Sequence, residues 1–242
     1  MRYLITFSYD GTLYNGYQIQ DDQPTIQNEI EKNLSKIFNS DIKIHASGRT
    51  DAKVHAINQK AHFDSEKIID LDRLKNSLNK MLKEDIFIKD IKEVDSDFHA
   101  RFNVVSKEYH YLINVGEYDP FKRNYVYQYN KELDIDKMKE AAKYFIGTHN
   151  FKSFTKTDIN RNDYVRTIYN IDIVKEKDLI TIKFCGNGFL RYMVRNIVGL
   201  LIEVGENKIN IDSINEILEK EDRTFASKTA NPEGLYLYDV KY

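Results

Sequence analysis

TIQNEIEKNLSKIFNSDIKIHAS, residues 25–47, changes its hydrophobic period partway along, and that change decides the fold class. Ile26, Ile30, Leu34 and Ile37 recur at helical spacing behind Thr25, a suitable N-cap, so the first part predicts an amphipathic helix. DIKIHAS (41–47) then reads as a short strand running into the loop SGRTDAK. Toward the N-terminus, RYLITFSYD (2–10) sets Tyr3, Ile5 and Phe7 on one face of a strand, and DGTLYNGYQIQDDQ (10–23) is rich in turn residues. Toward the C-terminus, NQKAHFDS (58–65) reads as a strand, LDRLKNSLNKML (71–82) as a helix, and DIFIKDIKEV (85–94) and FHARF (98–102) as further strands. Strand, helix, strand, strand, helix, strand is the split βαβ order of ferredoxin-like domains.

A second half opens with KEYHYLINV (107–115), where Tyr109, Tyr111, Ile113 and Val115 alternate onto one face. DIDKMKEAAKYFIG (134–147) predicts a helix ending at Gly147. VRTIYNIDIVKEKDLITIKFCG (165–186) predicts a hairpin turning near residues 176–178. GFLRYMVRNIVGLLIEVG (188–205) predicts a helix that buries Phe189, Met193, Ile197, Leu200 and Val204 and stops at Gly205. A shorter helix at about 211–218 and a closing strand, LYLYDVKY (235–242), complete an α+β chain of two halves, 1–105 and 106–242.

The 242 residues suffice for one large domain or two small ones. With 41% hydrophobic and 31% charged residues, the composition is close to that of an ordinary globular protein, so disorder is not the default reading. No apolar run approaches membrane-spanning length, and the opening MRYLITFSYDGT lacks a secretion signal's cleavage site, so the expectation is a cytoplasmic protein. Cys185 is the single cysteine, which excludes an internal disulfide and a multi-cysteine zinc site. His45, His55 and His62 lack the i, i+4 spacing of a zincin, so no metal is expected. A net charge of −2 argues against nonspecific coating of nucleic acid but leaves room for an RNA enzyme with a local basic face.

The most unusual local sequence is SGRTDAKVHA (47–56). Gly48 permits a tight backbone after a strand, and Arg49 and Asp51 stand two apart. On spacing alone this is ordinary turn chemistry, with Asp51 in an Asx turn and Arg49 in solvent. Arg195 reads as either a helix-surface charge or a partnered cation, and its apolar neighbours favour the partnered one. Tyr109, one of 17 tyrosines, reads on pattern alone as a core tyrosine of an alternating strand.

Seven blocks in order shift these readings. GRTDAKVHA is similar to the GRTDAGVHA signature of the TruA-type pseudouridine synthases. SYDGTLYNGYQIQ (8–20), DFHARF (97–102) with KEYHYLI, GTHNFKSF (147–154), VRTIY (165–169), GNGFLRYMVRNIVGLLIEVG (186–205) and NPEGLYL (231–237) resemble that family's other segments. The resemblance implies the pseudouridine synthase fold, two ferredoxin-like halves with antiparallel sheets joined around a central RNA-binding cleft. It implies isomerisation of uridine to pseudouridine in the anticodon stem-loop of tRNA, at positions 38, 39 and/or 40, by a homodimer without cofactor or metal.

That chemistry breaks the C1′–N1 glycosidic bond, turns the uracil and rejoins it through C5. A carboxylate that attacks C1′, or removes a proton to give a glycal, must be ionised, and a neighbouring cation keeps it so. By resemblance Asp51 is that carboxylate, Arg195 its ionic partner and Tyr109 the ring stacked on the flipped base. Leu235 floors the uracil and Arg49 holds the vacated position or a phosphate. Lys53, Lys107 and Arg191 are candidate RNA contacts, as are Lys60, Arg101 and Arg166. Four departures from the pattern bear on RNA docking: Lys53 for Gly, Tyr17 for Trp, Lys107 for Arg, and Asn231-Pro232 for an Ala-Pro or Pro-Pro pair. Three rivals stand beside this reading: a paralogue acting on ribosomal or other RNA, a noncatalytic RNA-binding or RNA-folding protein, and a glycoside hydrolase using Asp10 as second carboxylate.

Overall fold

The computed structural model describes residues 1–156 and 162–242, which divide into two compact units. The first contains residues 1–105 and 236–242, the second residues 106–235.

In the first unit the chain runs through β1 (Arg2–Tyr9), α1 (Ile26–Phe38), β2 (His45–Ala46), β3 (His55–Asp64), α2 (Leu71–Met81) and β4 (Ile86–Val94). β1 lies antiparallel between β4 and β3, with Ile5 opposite both Ile91 and Ala61, and β2 pairs antiparallel with β3 through His45–His62 and Ala46–Ala61. The order β4-β1-β3-β2 is that of a ferredoxin-like sheet. Ile26, Ile30, Leu34 and Phe38 of α1 and Leu74 and Leu78 of α2 are buried, as are Tyr3, Ile5, Phe7 and Phe63 of the sheet. Phe63 meets Tyr3 at 5.3 Å and Phe38 at 5.8 Å between ring centroids, which ties α1 to the strands. Phe38, not the expected Ile37, completes the buried stripe of α1. Thr25 occupies the N-cap position, yet its buried hydroxyl makes no capping bond.

FHARF is a turn, not the strand its alternation suggests. The His99 N–H donates to Asn103 Oδ1 and the Arg101 N–H to His99 Nδ1, at 2.6 and 3.1 Å. Local side-chain acceptors thus take the donors that a ladder would have used.

The second unit starts with β5 (Ser106–Asn114) and β6 (Tyr127–Gln128), followed by α3 (Ile135–Ala142), β7 (Gly147–Asn150), β8 (Val165–Glu176), β9 (Leu179–Gly186), α4 (Met193–Gly205) and α5 (Ser213–Glu219). Its antiparallel sheet has the order β5-β9-β8-β7, with β6 parallel to the end of β5. The β8–β9 hairpin turns at residues 177–178 as its polar tip predicts. α3 stops at Ala142 and tightens into a 3-10 turn over Lys143–Phe145, so Gly147 opens β7 instead of ending the helix. α4 begins at Met193, after Tyr192 in a left-handed conformation at φ 64°, which leaves Phe189 outside the helix. Met193, Ile197, Leu200 and Val204 are buried as predicted. Among the described residues no helix is long and apolar enough to cross a membrane.

The final strand, β10 (Leu235–Lys241), starts at the end of the second unit and returns to the first, where Tyr236 and Leu237 pair parallel with His55 and Ala56 of β3. The α+β class expected from the sequence is that of the structure, and the first unit has the ferredoxin-like strand order.

Candidate active site

The loop at residues 47–54, between β2 and β3, carries Arg49, Asp51 and Lys53. Its base is pinned by Gln59 of β3, whose Oε1 accepts from the buried Ser47 hydroxyl at 2.7 Å and whose Nε2 donates to the Gly48 carbonyl at 2.9 Å. The Thr50 and Tyr9 hydroxyls share a buried 2.8 Å hydrogen bond. Burial pushes the Tyr9 hydroxyl up to about 12, against smaller opposing effects of its bonds to Thr50 and Gln59, so Tyr9 stays protonated.

The turn-rich segment after β1 lies against this loop. Tyr17 N donates to the Thr50 carbonyl at 3.1 Å and Lys53 N to the Tyr14 carbonyl at 3.2 Å. Two glycines permit the approach. A Cβ on Gly11 would stand 2.1 Å from the Val54 carbonyl oxygen, and Gly16, at φ 93°, would bring one to 2.8 Å from the Thr50 carbonyl oxygen. The YDGT and GRTD blocks, thirty or more residues apart in sequence, are therefore one packed assembly within the first unit.

Asp51 is half-buried and accepts at its backbone carbonyl from Val54 N at 3.2 Å, closing a four-residue turn. Lys53 is the third residue of that turn and has φ 64°, while Ala52 is not left-handed. This is the type II pattern, whose third position favours Gly. The Gly of the family signature thus has a backbone reason, and Lys53 occupies the position at a cost in strain. Arg49 is exposed and donates from Nη1 to Gln18 Oε1 at 2.6 Å.

Asp10 is tied into the same assembly. Its Oδ1 accepts from the Thr12 N–H and hydroxyl at 2.9 and 2.6 Å and lies 3.2 Å from His55 Nδ1. A carboxylate committed to such a turn is a poor general acid, which weakens the glycoside-hydrolase rival. Lys60 is likewise tied down: Nζ donates to the Val240 carbonyl at 2.6 Å and lies 5.5 Å from the Tyr242 ring centre.

In the second unit, Lys107 and Tyr109 lie on β5, where Lys107 opposes Gly186 and Tyr109 opposes Phe184. Tyr109 is 8% exposed and makes a T-shaped contact with Phe189 at 5.2 Å between ring centroids. Arg195, in the first turn of α4, is half-buried. Its Nε donates to the Ala230 carbonyl at 2.7 Å, and its own carbonyl accepts from Ala230 N at 3.0 Å. Arg191 is exposed, and both guanidiniums lie over the Tyr192 ring, at 5.1 Å for Arg191 and 5.3 Å for Arg195. The left-handed Tyr192 thus gathers two arginines about one ring. Leu235 is buried at the start of β10, just after the 3-10 turn Pro232–Gly234. Arg166 pairs with Asp163 at 3.0 Å.

Three supporting groups escaped the sequence reading. Fully buried Asn196 donates to the Phe154 carbonyl at 2.7 Å and accepts from the Thr229 hydroxyl at 2.6 Å and Arg223 Nη2 at 3.0 Å. The network fastens the segment 223–230 to the first turn of α4, beside Arg195. The only signal in the sequence is an asparagine inside the apolar run VRNIVG. The Tyr9–Thr50 and Ser47–Gln59 bonds had none.

Comparison with known proteins bears on both units. A family model described as "tRNA pseudouridine synthase" matches residues 5–103 and 141–242, spanning the Asp51 loop and the Arg195 helix. The chain is 48% identical over 239 residues to "tRNA pseudouridine synthase A" of a Geobacillus species, covering 98% of this chain and 96% of that protein. It is 46% identical over 239 residues to "tRNA pseudouridine synthase A 1" of Bacillus cereus, with 98% and 97% covered. To "tRNA pseudouridine synthase A" of Bacillus subtilis it is 43% identical over 245 residues, with 100% and 99% covered. With relatives 43–48% identical over 98–100% of its length, the chain belongs to the TruA family of tRNA pseudouridine synthases.

Proposed function

We propose that this chain is an isomerase that converts uridine to pseudouridine in the anticodon stem-loop of tRNA, at positions 38, 39 and/or 40, after extruding the target base. The observation that carries this reading is near-full-length identity to curated tRNA pseudouridine synthases, with the aspartate of the family signature kept as Asp51. Asp51 is the carboxylate that acts at the ribose, Arg195 the cation that keeps it ionised, and Tyr109 the ring that stacks on the uracil. Leu235 floors the base, Arg49 stands in for it in the helix, and Lys53, Lys107 and Arg191 meet phosphates. Support for these roles is the residue-by-residue match to the family motifs, joined by local rigidity. The Asp51 loop is clamped through Gln59, Tyr9 and the segment after β1, which suits a group that must hold one geometry during attack. The enzyme works in the cytoplasm as a homodimer, which widens the positive surface of a chain whose net charge is −2.

Lys53 in place of Gly keeps open a paralogue with another RNA target, since it sets a cation two residues from Asp51. The test gives the protein tRNA and ribosomal RNA transcripts labelled with tritium at uracil C5, and reads the tritium released when C5 bonds to the sugar. Release from tRNA that Asp51→Asn abolishes while RNA binding persists is the expected result. Release only from ribosomal RNA would transfer the activity to the paralogue reading. Binding without release from either would leave a noncatalytic RNA-binding protein.

A further inference from the structure

FHARF is a block to which the proposed reaction assigns no work, and it is held with unusual care. Besides the bonds within the turn, the Ala100 N–H donates to His62 Nδ1 at 3.1 Å and its carbonyl accepts from the Tyr242 hydroxyl at 2.8 Å. The Phe98 carbonyl accepts from Arg2 Nη1 at 2.9 Å, and Phe102 N and Asn103 N both donate to the His99 carbonyl. Strands β1 and β3 and the C-terminal residue of the chain thus all anchor one six-residue turn.

What the turn holds in water is an aromatic ring, since Phe102 is 76% exposed. A lone exposed phenylalanine needs no explanation. This one is backed by His99 at a centroid distance of 4.2 Å, and His99 in turn meets His62 at 4.6 Å and His45 at 6.0 Å. Burial lowers the proton affinity of His62 and of His99, which favours an uncharged aromatic backing. The exposed Arg101 guanidinium lies 5.9 Å from the Phe102 ring centre, at the outer limit of a cation–π contact, so it is able to turn toward an anion at little cost.

We infer that the 98–103 turn is a nucleobase-stacking platform, on which an unpaired base of the RNA substrate lies against Phe102 while Arg101 meets its phosphate. A fixed ring with a cation beside it is the complement of a base joined to a phosphate. A single ring is too small an apolar surface for a lipid or a folded protein partner. The platform lies in the same unit as the Asp51 loop, and His45, part of its backing, begins the strand that leads into that loop. The inference rests on the RNA substrate proposed above and adds a second point of grip on it.

The test measures binding of an unmodified tRNA transcript, alongside sedimentation of the free protein. Phe102→Ala is expected to weaken tRNA binding about tenfold or more, and Phe102→Trp to restore it. Arg101→Gln should lower the slope of log affinity against log salt by roughly 0.7–0.9. A benzophenone amino acid at position 102 should crosslink to one nucleotide, a readout that survives a misfolded alanine variant. Unchanged affinity in Phe102→Ala, or no crosslink, with wild type still converting uridine, overturns the platform alone. Self-association lost in Phe102→Ala while tRNA affinity stays the same assigns the ring to a contact between copies and also overturns it. Wild type that neither binds nor modifies tRNA overturns the proposed function together with the platform.

Discussion

Replacing Lys53 with glycine should make the protein more stable while weakening its hold on RNA. Lys53 sits at φ 64° in the turn that follows Asp51, held there by the Lys53 N–H to Tyr14 carbonyl bond and by the Val54 N–H to Asp51 carbonyl bond. A left-handed conformation costs a residue with a Cβ about 1–2 kcal/mol, which glycine avoids. Glycine gives back roughly 0.5–1 kcal/mol through the greater freedom of its unfolded chain. The net expectation for Lys53→Gly is a gain of about 0.5–1 kcal/mol, a rise of about 0.2–0.4 M in the urea midpoint at a slope near 2.5 kcal/mol/M. Lys53→Ala keeps the Cβ and the strain, so it should show no such gain. Both variants lose the cation, and if Lys53 meets a phosphate, both should lower the salt slope of tRNA binding by roughly 0.7–0.9. A Lys53→Gly protein no more stable than wild type would refute the strain argument. Equal salt slopes would refute the phosphate role and leave the strain argument standing.

Two further perturbations probe the same unit. Burial, then Arg2, His99 and His45, lower His62 to about 4 from 6.5, against a smaller pull from Asp64, while the ring itself is only 2% exposed. The folded state therefore binds this proton less readily than the unfolded one, and its stability, full above pH 6.5, declines as pH falls toward 4. Between pH 7 and pH 5 wild type should lose about 2 kcal/mol more than His62→Gln in urea titrations, and parallel pH profiles would sink the assignment. Gly11→Ala would drive a methyl to 2.1 Å from the Val54 carbonyl oxygen. It should cost about 1–3 kcal/mol and, by moving the Asp51 loop, reduce turnover about a hundredfold. Full activity in that variant would show that the loop does not need the segment after β1.

Periodicity made much of this fold legible. Ile26, Ile30 and Leu34 mark a helix, Tyr109, Tyr111 and Ile113 a strand, and the polar tip at residues 176–178 a hairpin, because burial of one face imposes its period on the chain. Where polar side chains serve as backbone partners, the period misleads. FHARF alternates like a strand, yet Asn103 and His99 accept its N–H groups locally. Likewise GFLRY carries helical apolar spacing, but the helix waits until Tyr192 has turned left-handed.

The candidate site divides along the same line. Linear motifs sufficed to single out Asp51, Arg49, Tyr109 and Arg195, because chemistry needs particular side chains and the chain presents them in recognisable blocks. The glycine of the family signature points to the positive φ at residue 53, but no motif reveals that Gly11 and Gly16 exist to admit a neighbouring carbonyl, or that Asn196 fastens the segment next to Arg195. Nor does spacing bring His45, His62 and His99 together; that follows from the register of β2 on β3 and from a turn folded back on both. The sequence by itself determined most element types and named the candidate reactive groups, since both are read from local pattern and side-chain chemistry. The fit of the Asp51 loop against the segment after β1, the Tyr9–Thr50 and Asn196 pairings and the return of the last strand to the first unit were decided by tertiary structure, because each joins atoms far apart in the chain that meet only when it folds.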